Sequence, residues 1–156
     1  MKIMPAPPQI ESVPSWPIMV ARLGGGAGSE PGQVVTTQAF ARLLVQAEYD
    51  SHGAFSNSTS IYTVPQSGVY RLEGKVRVLD GSMPAGYSIG LGIDRYEGDG
   101  PSFFWGVSNP SRQGVINQRV AYFDAGDPLR LCVYADHPGV PNVGVASAEF
   151  TLDRIR

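Results

Sequence analysis

The stretch that most constrains this chain runs from Thr63 to Leu79. It opens on Pro65-Gln66-Ser67-Gly68 and then alternates strictly. Tyr70, Leu72, Val76 and Val78 fall in one row, with Gly74 among them, and Arg71, Glu73, Lys75 and Arg77 fall in the other. A helix would scatter these charges round its circumference, whereas a strand sorts them into a dry face and a wet face. The Pro-x-x-Gly opening reads as a turn, because proline presets φ and glycine accepts angles that other residues resist. The stretch is therefore a one-sided antiparallel strand of a half-solvated sheet, and other segments must pair with it or cover its dry row.

The rest of the chain repeats that grammar. Tyr87, Ile89, Leu91 and Ile93 alternate with Ser88, Gly90, Gly92 and Asp94, and the two glycines on one face suggest close packing over it. Val115 to Phe123 reads as a strand, Asp124-Ala125-Gly126-Asp127 as a tight turn, and Leu129, Leu131 and Val133 as the inward row of the next strand. Arg130, Cys132 and Tyr134 take that strand's other face, which should be wet in a monomer. Ala148, Phe150 and Leu152 close the chain as a strand expected in the middle of a sheet, since so apolar a terminus needs a partner on each side. Thr36 to Tyr49 reads two ways: Phe40, Leu43, Leu44 and Ala47 have helical spacing behind a Thr37 cap, while the surroundings favour a strand. With 19 glycines and 13 prolines in 156 residues, turns are frequent and long helices few. Short strands at regular spacing mean an all-β sandwich or barrel.

Two stretches stand apart. Residues 1–16 are Pro-rich and aperiodic, and read as an extended arm that docks on a neighbouring subunit or a larger particle, with Trp16, Ile18 and Met19 as its anchors. Residues 17–156 form the head, with a short strand at Ile18 to Leu23. Gly24 to Gly32 lacks the Gly-Lys-Ser/Thr ending and the following helix of a phosphate loop, so it reads as a flexible connection.

The chemistry in the sequence is sparse. A net charge of −2 argues against nucleic acid as a partner, which calls for clustered Lys and Arg. Cys132 is the single cysteine, so an intrachain disulfide and a cysteine zinc site are both excluded. No apolar run has the length of a membrane span, and Pro5, Pro7 and Pro8 interrupt any secretory h-region, so the chain is expected to be made in the cytosol. His52 and His137 have neither metal-pair nor triad spacing. Asp94, Glu97 and Asp99 share one loop and Asp124 and Asp127 another; the first set lacks the order of an EF-hand. No cofactor or metal site is expected, with calcium held open. Paired carboxylates at a subunit junction would be the route to a glycan-processing hydrolase.

The ordered motifs Tyr49-Asp50, Gly53, Tyr62-Thr63-Val64-Pro65 and Gly68-Val69-Tyr70 resemble the C1q/TNF-like jelly-roll superfamily. So do Phe123, Gly126-Asp127, the apolar Leu129–Val133 strand and the closing Ser147-Ala148-Glu149-Phe150-Thr151-Leu152. The resemblance covers roughly residues 17 to 155. A longer stretch between Gly53 and Tyr62, and the absence of a Gly-X-Y stalk, bring it nearest to stand-alone heads that resemble bacteriophage virion proteins.

What the resemblance implies is a two-sheet antiparallel jelly roll assembled as a homotrimer, with aromatics packed about the threefold axis. The expected interface set is Tyr122, Tyr134, Cys132, Phe103, Phe104 and Trp105. The function implied is a non-enzymatic virion component on a tail or capsid, attached to other virion proteins by the arm. Its recognition loops would span Arg95–Ser102, Ser108–Gly114 and Asp136–Gly144, with Arg95, Tyr96, Asp99, Arg112, His137 and Asn142 meeting virion neighbours or a host glycan or protein. The competing readings are the hydrolase above and a bacterial adhesion module of the same fold.

Overall fold

The computed structural model describes residues 16–24, 32–79, 88–94, 103–108, 114–136, 139 and 141–156. Among them are twelve strands and no helix. In chain order these are β1 (Ile18–Leu23), β2 (Gln33–Thr36), β3 (Phe40–Arg42), β4 (Gln46–Asp50), β5 (Phe55–Ser56) and β6 (Ile61–Thr63). There follow β7 (Gly68–Val78), β8 (Ser88–Asp94), β9 (Phe103–Ser108), β10 (Gly114–Phe123), β11 (Pro128–Asp136) and β12 (Asn142–Arg154).

They form two sheets of six strands. The first runs β10-β7-β12-β1-β4, with β2 also on β12; the second runs β5-β6-β11-β8-β9, with β3 also on β11. Every pairing is antiparallel. The alternating stretch is β7, whose Tyr70, Leu72, Val76 and Val78 are all at most 3% exposed. The terminal strand β12 lies between β7 and β1, in the middle of its sheet as expected. Across the β7/β12 ladder Leu72 faces Leu152, and Gly74 faces the fully buried Phe150, so the gap in the β7 row lies opposite a large ring. From the second sheet Tyr62, Leu129, Leu131 and Val133 close the same core. Burying a side chain of this class contributes about 1.5–3 kcal/mol, so the two facing rows are the source of the head's stability.

The ambiguous segment is extended. Its helical spacing is broken by Gln38, whose φ of 60° ends β2 and turns the chain into β3. The two short strands go to different sheets, β2 to β12 and β3 to β11. The Gln33 amide fastens this crossing: its Nε2 donates to the Arg42 carbonyl at 2.7 Å, and Leu44 N–H donates to its Oε1 at 2.9 Å. A second expectation needs correction. Asp136 to Gly144 is not all loop, because Asp136 ends β11 and β12 begins at Asn142. The cause is β2, which pairs with residues 142–145 and sets Val35 against Val143.

Both described chain ends are tied down at one end of the first sheet. Val69 N–H donates to the Arg156 carbonyl and Ile155 N–H to the Val69 carbonyl, each at 2.8 Å. Arg154 N–H donates to the Pro17 carbonyl at 3.0 Å. Ile18 is held on its other side by Ser51, whose Oγ accepts the Ile18 N–H at 2.9 Å while Ser51 N–H donates to the Ile18 carbonyl at 3.0 Å. Gly68 must be glycine here: a Cβ would fall on the Arg156 carbonyl oxygen and the Arg154 guanidinium.

Two stability changes follow. Gly68→Ala should lower unfolding free energy by about 1–3 kcal/mol, the usual cost of overfilling a packed site, measured by urea denaturation; an unchanged midpoint would contradict the close contact. The Tyr62 ring is fully buried and its hydroxyl meets no hydrogen-bond partner among the described residues. Tyr62→Phe should therefore leave stability equal or raise it by about 1 kcal/mol, where a loss of that size would reveal a partner for the hydroxyl.

Candidate interaction surfaces

The outward face of the first sheet carries the most organised chemistry among the described residues. Register places its side chains in rows across β10, β7, β12 and β1. One row reads Ile116, Lys75, Glu149, Arg22; the next Gln118, Glu73, Thr151, Val20; the third Val120, Arg71, Asp153, Ile18. At the end of the sheet Tyr122 lies opposite Val69. Between these rows is a shallow groove of ≈ 400 Å³, lined among others by Ile18, Val20, Arg71, Gln118, Thr151 and Asp153.

The charges on this face form a connected ladder. Arg22 pairs with Glu48 on β4 and, at 2.8 Å, with Glu149 on β12. Lys75 Nζ lies 2.9 Å from Glu149 and 2.8 Å from Glu73. The ladder thus alternates in sign across four strands: Glu48, Arg22, Glu149, Lys75, Glu73. Arg71 makes a separate two-point contact with Asp153, at 3.1 and 2.7 Å. The shared carboxylate responds: hydrogen bonds from Lys75 first, then Arg22, hold Glu149 below the usual carboxylate range. Glu73 and then Glu149 raise Lys75 in turn, and Glu149 with Glu48 raises Arg22. These side chains are partly exposed, with about half of Arg22 open to solvent, so in a single head each pair is screened by water and individually weak.

Beside the ladder, β10 forms the edge of the sheet and presents Ile116 at 70%, Val120 at 54% and Tyr122 at 57% exposure. A second exposed apolar group, Val34, Phe40 and Leu44, lies round the β2–β3 crossing. Phe40 is tilted against Tyr134 with ring centres 4.9 Å apart.

The sequence-predicted interface residues divide between the sheets. Tyr122 is exposed on the first; Cys132 and Tyr134 belong to the second. Cys132 is not on a wet face: it is 3% exposed, and Arg130 beside it is 4% exposed. Strand β11 is central in its sheet, flanked by β8 on one side and by β6 and β3 on the other, and this chain's own residues cover both its faces. Cys132 is thus unavailable to a partner. Tyr134 is half-buried against Phe40. Phe103, Phe104 and Trp105 open the edge strand β9, paired to Ile93, Gly92 and Leu91, and their side chains lie outside the described residues.

Of the expected arm anchors, Trp16 is 48% exposed just before β1. Ile18 and Met19 are instead part of the head: both lie in β1, and Met19 is fully buried in the core because it shares the inward row with Ala21 and Leu23. Among the recognition residues, Asn142 is exposed at the start of β12, paired to Thr36. Arg95, Tyr96, Asp99, Arg112 and His137 lie outside the described residues, as do residues 1–15 of the arm.

Two further carboxylates hold turns. Asp50 accepts the backbone N–H groups of His52 and Phe55 at 3.1 and 2.7 Å, and Asp127 accepts that of Asp124 at 3.0 Å. The Ser51 Oγ–His52 Nδ1 contact of 2.8 Å superficially suggests a nucleophile and base, but the same hydroxyl accepts the Ile18 N–H that fixes β1. No group of three His, Cys, Asp or Glu among the described residues could hold a metal ion. No helix among them is long and apolar enough to cross a membrane.

Sequence reasoning missed the ladder and the β10 edge. The edge had a signal, since Ile116, Val120 and Tyr122 share one parity within a strand already recognised. The ladder had none, because Arg22 and Glu149 are 127 positions apart.

No protein-family model and no curated protein matches this chain. Solved structures do. The globular domain of zebrafish complement 1qA protein is 14% identical, covering 91% of this chain and 98% of its own, with a TM-score of 0.61. PRD1 vertex protein P5 is 12% identical, covering 90% and 97%, with a TM-score of 0.58. Eiger TNF from S. frugiperda is 15% identical, covering 90% and 94%, with a TM-score of 0.56. Similarity over this length at such low identity is similarity of backbone, and with the two six-stranded antiparallel sheets it gives this chain a C1q/TNF-like jelly-roll head.

Proposed function

We propose that this chain is a non-enzymatic head of a virion, a homotrimer that contacts neighbouring virion subunits or a host surface. The observation that carries this reading is the β10 edge, where Ile116, Val120 and Tyr122 stand more than half exposed beside a charge-paired sheet face. A lone soluble head gains nothing from three large apolar groups in one line, whereas a second copy laid over them removes them from water. A ring of three needs a head-to-tail contact between two different patches. The β10 edge of one copy against the outward face of the next copy's first sheet supplies such a pair. Tyr122 stays in the interface set; Tyr134 is a peripheral candidate, and Cys132 is withdrawn.

The virion assignment draws on the likeness to PRD1 vertex protein P5. In this reading residues 1–16 fix the head to its mount, and Trp16 is the anchor nearest the head. Arg95, Tyr96, Asp99, Arg112, His137 and Asn142 carry recognition in the same reading. Engagement of the described acids in pairs and turns favours a binding head over a hydrolase. No cofactor is needed for this role.

Sedimentation equilibrium of the purified chain should give a mass of three subunits. Tyr122→Glu with Val120→Glu should yield folded single subunits, each buried carboxylate opposing association by about 3 kcal/mol or more; a wild-type monomer would overturn the reading. Removal of residues 1–16 should leave a folded head that no longer joins its particle, and retained attachment would rule out the arm as the mount.

A further inference from the structure

The outward face of the first sheet is charge-balanced in a way that a single head does not use. Arg22, Arg71, Lys75 and Arg77 supply four cations, and Glu48, Glu73, Glu149 and Asp153 supply four carboxylates. They come from four of the sheet's six strands: Glu48 from β4, Arg22 from β1, Glu149 and Asp153 from β12, and the rest from β7. The bordering β10 row adds no charge, since it presents Ile116, Gln118, Val120 and Tyr122. In a single copy these pairs are wet and individually weak. Covered by a neutral apolar strip, they would lie in a medium of lower dielectric, where balance becomes a requirement.

We propose that this ladder makes association between heads proton-sensitive: copies hold together near neutral pH and separate when the ladder's carboxylates are neutralised. The inference rests on the reading that a second copy covers this face. Loss of negative charge at Glu149, the carboxylate shared by Arg22 and Lys75, leaves the covered face with cations in excess. Their desolvation and mutual repulsion then oppose association. The apolar cluster between the sheets contains no charged residue, so the fold is expected to outlast the association.

The sign places the effect on the acid side. Lys75 and Arg22 hold Glu149 below the ordinary carboxylate value, so its ion pairs are complete above that value and are lost as pH falls through the lowered one. Loss therefore begins below about pH 4.5, the region of unperturbed carboxylates. Lys75 and Arg22 are shifted upward and stay charged throughout.

The test is sedimentation of the full chain at pH 7.5 and 3.5, with circular dichroism at each. The dissociation constant should rise at least about 100-fold at pH 3.5 while the β spectrum persists, in line with the cost of leaving one side of a covered charge pair. At pH 7.5, Glu149→Gln should weaken association about 10-fold, since it leaves Arg22 with Glu48 alone and Lys75 with Glu73 alone, and the covered face one carboxylate short. Replacing the whole ladder together, as Glu48→Gln, Arg22→Met, Glu149→Leu, Lys75→Met and Glu73→Gln, should keep the assembly and shrink its acid response at least about 10-fold. An assembly equally tight at both pH values overturns the proposal. Should the head unfold at pH 3.5, an unchanged dissociation constant for Glu149→Gln at pH 7.5 overturns it instead. A single subunit at pH 7.5 overturns the trimer reading itself, and this inference with it.

Discussion

The pairing of β7 with β12 is the contact on which the rest of this head depends. It joins a strand from the middle of the chain to its last residues, in register from Val78↔Val145 to Tyr70↔Arg154, with one shift between Val145 and Ser147. Inward it aligns two apolar rows against the second sheet, and outward it sets Lys75 beside Glu149 and Arg71 beside Asp153. One ladder of backbone hydrogen bonds therefore fixes the core and the ionic surface together. Because side chains alternate with period two, a slip of one residue would send Leu152 and Phe150 into water and Glu149 and Asp153 into the core. Gly68 guards that register, since it alone lets Arg154 and Arg156 close over the start of β7.

The same arrangement makes a sheet surface the most organised chemistry among the described residues. Glu48, Glu73, Glu149 and Asp153 are paired with cations, and Asp50 and Asp127 accept turn amides. The Ser51–His52 contact is part of a clamp on β1. What the fold leaves open is an edge strand with exposed apolar side chains beside a face whose charges cancel. Such a face is hard to satisfy with an arbitrary partner, because any uncharged cover must preserve the balance and any charged one must match it. In the proposed assembly the first sheet is thus a surface suited to copies of itself.

Much of the fold was legible because it rests on period two. The rows of β7, the inward row of β11 and the central place of β12 follow from alternation and from the apolar terminus. The extended nature of residues 36–49 was a choice between spacings that Gln38 decides in the structure, through a backbone angle incompatible with a helix. Sequence spacing failed where the answer lay between distant segments. Cys132 alternates with inward residues and so reads as exposed; only the assembled second sheet buries it. Met19 sits next to a Pro-rich arm and so reads as part of it, yet the β1–β12 pairing puts it opposite Leu152 in the core. Arg22, Glu149 and Lys75 are ordinary surface charges until register places them side by side.

The central claim is that the first sheet's outward face, with β10 at its edge, is covered when heads associate. Hydrogen–deuterium exchange across a dilution series reads this directly. Backbone amides of residues 116–122 should be protected in concentrated protein and exchange faster as the sample is diluted, while those of β11 stay protected throughout. Exchange over 116–122 that is equally fast at every concentration would contradict the claim.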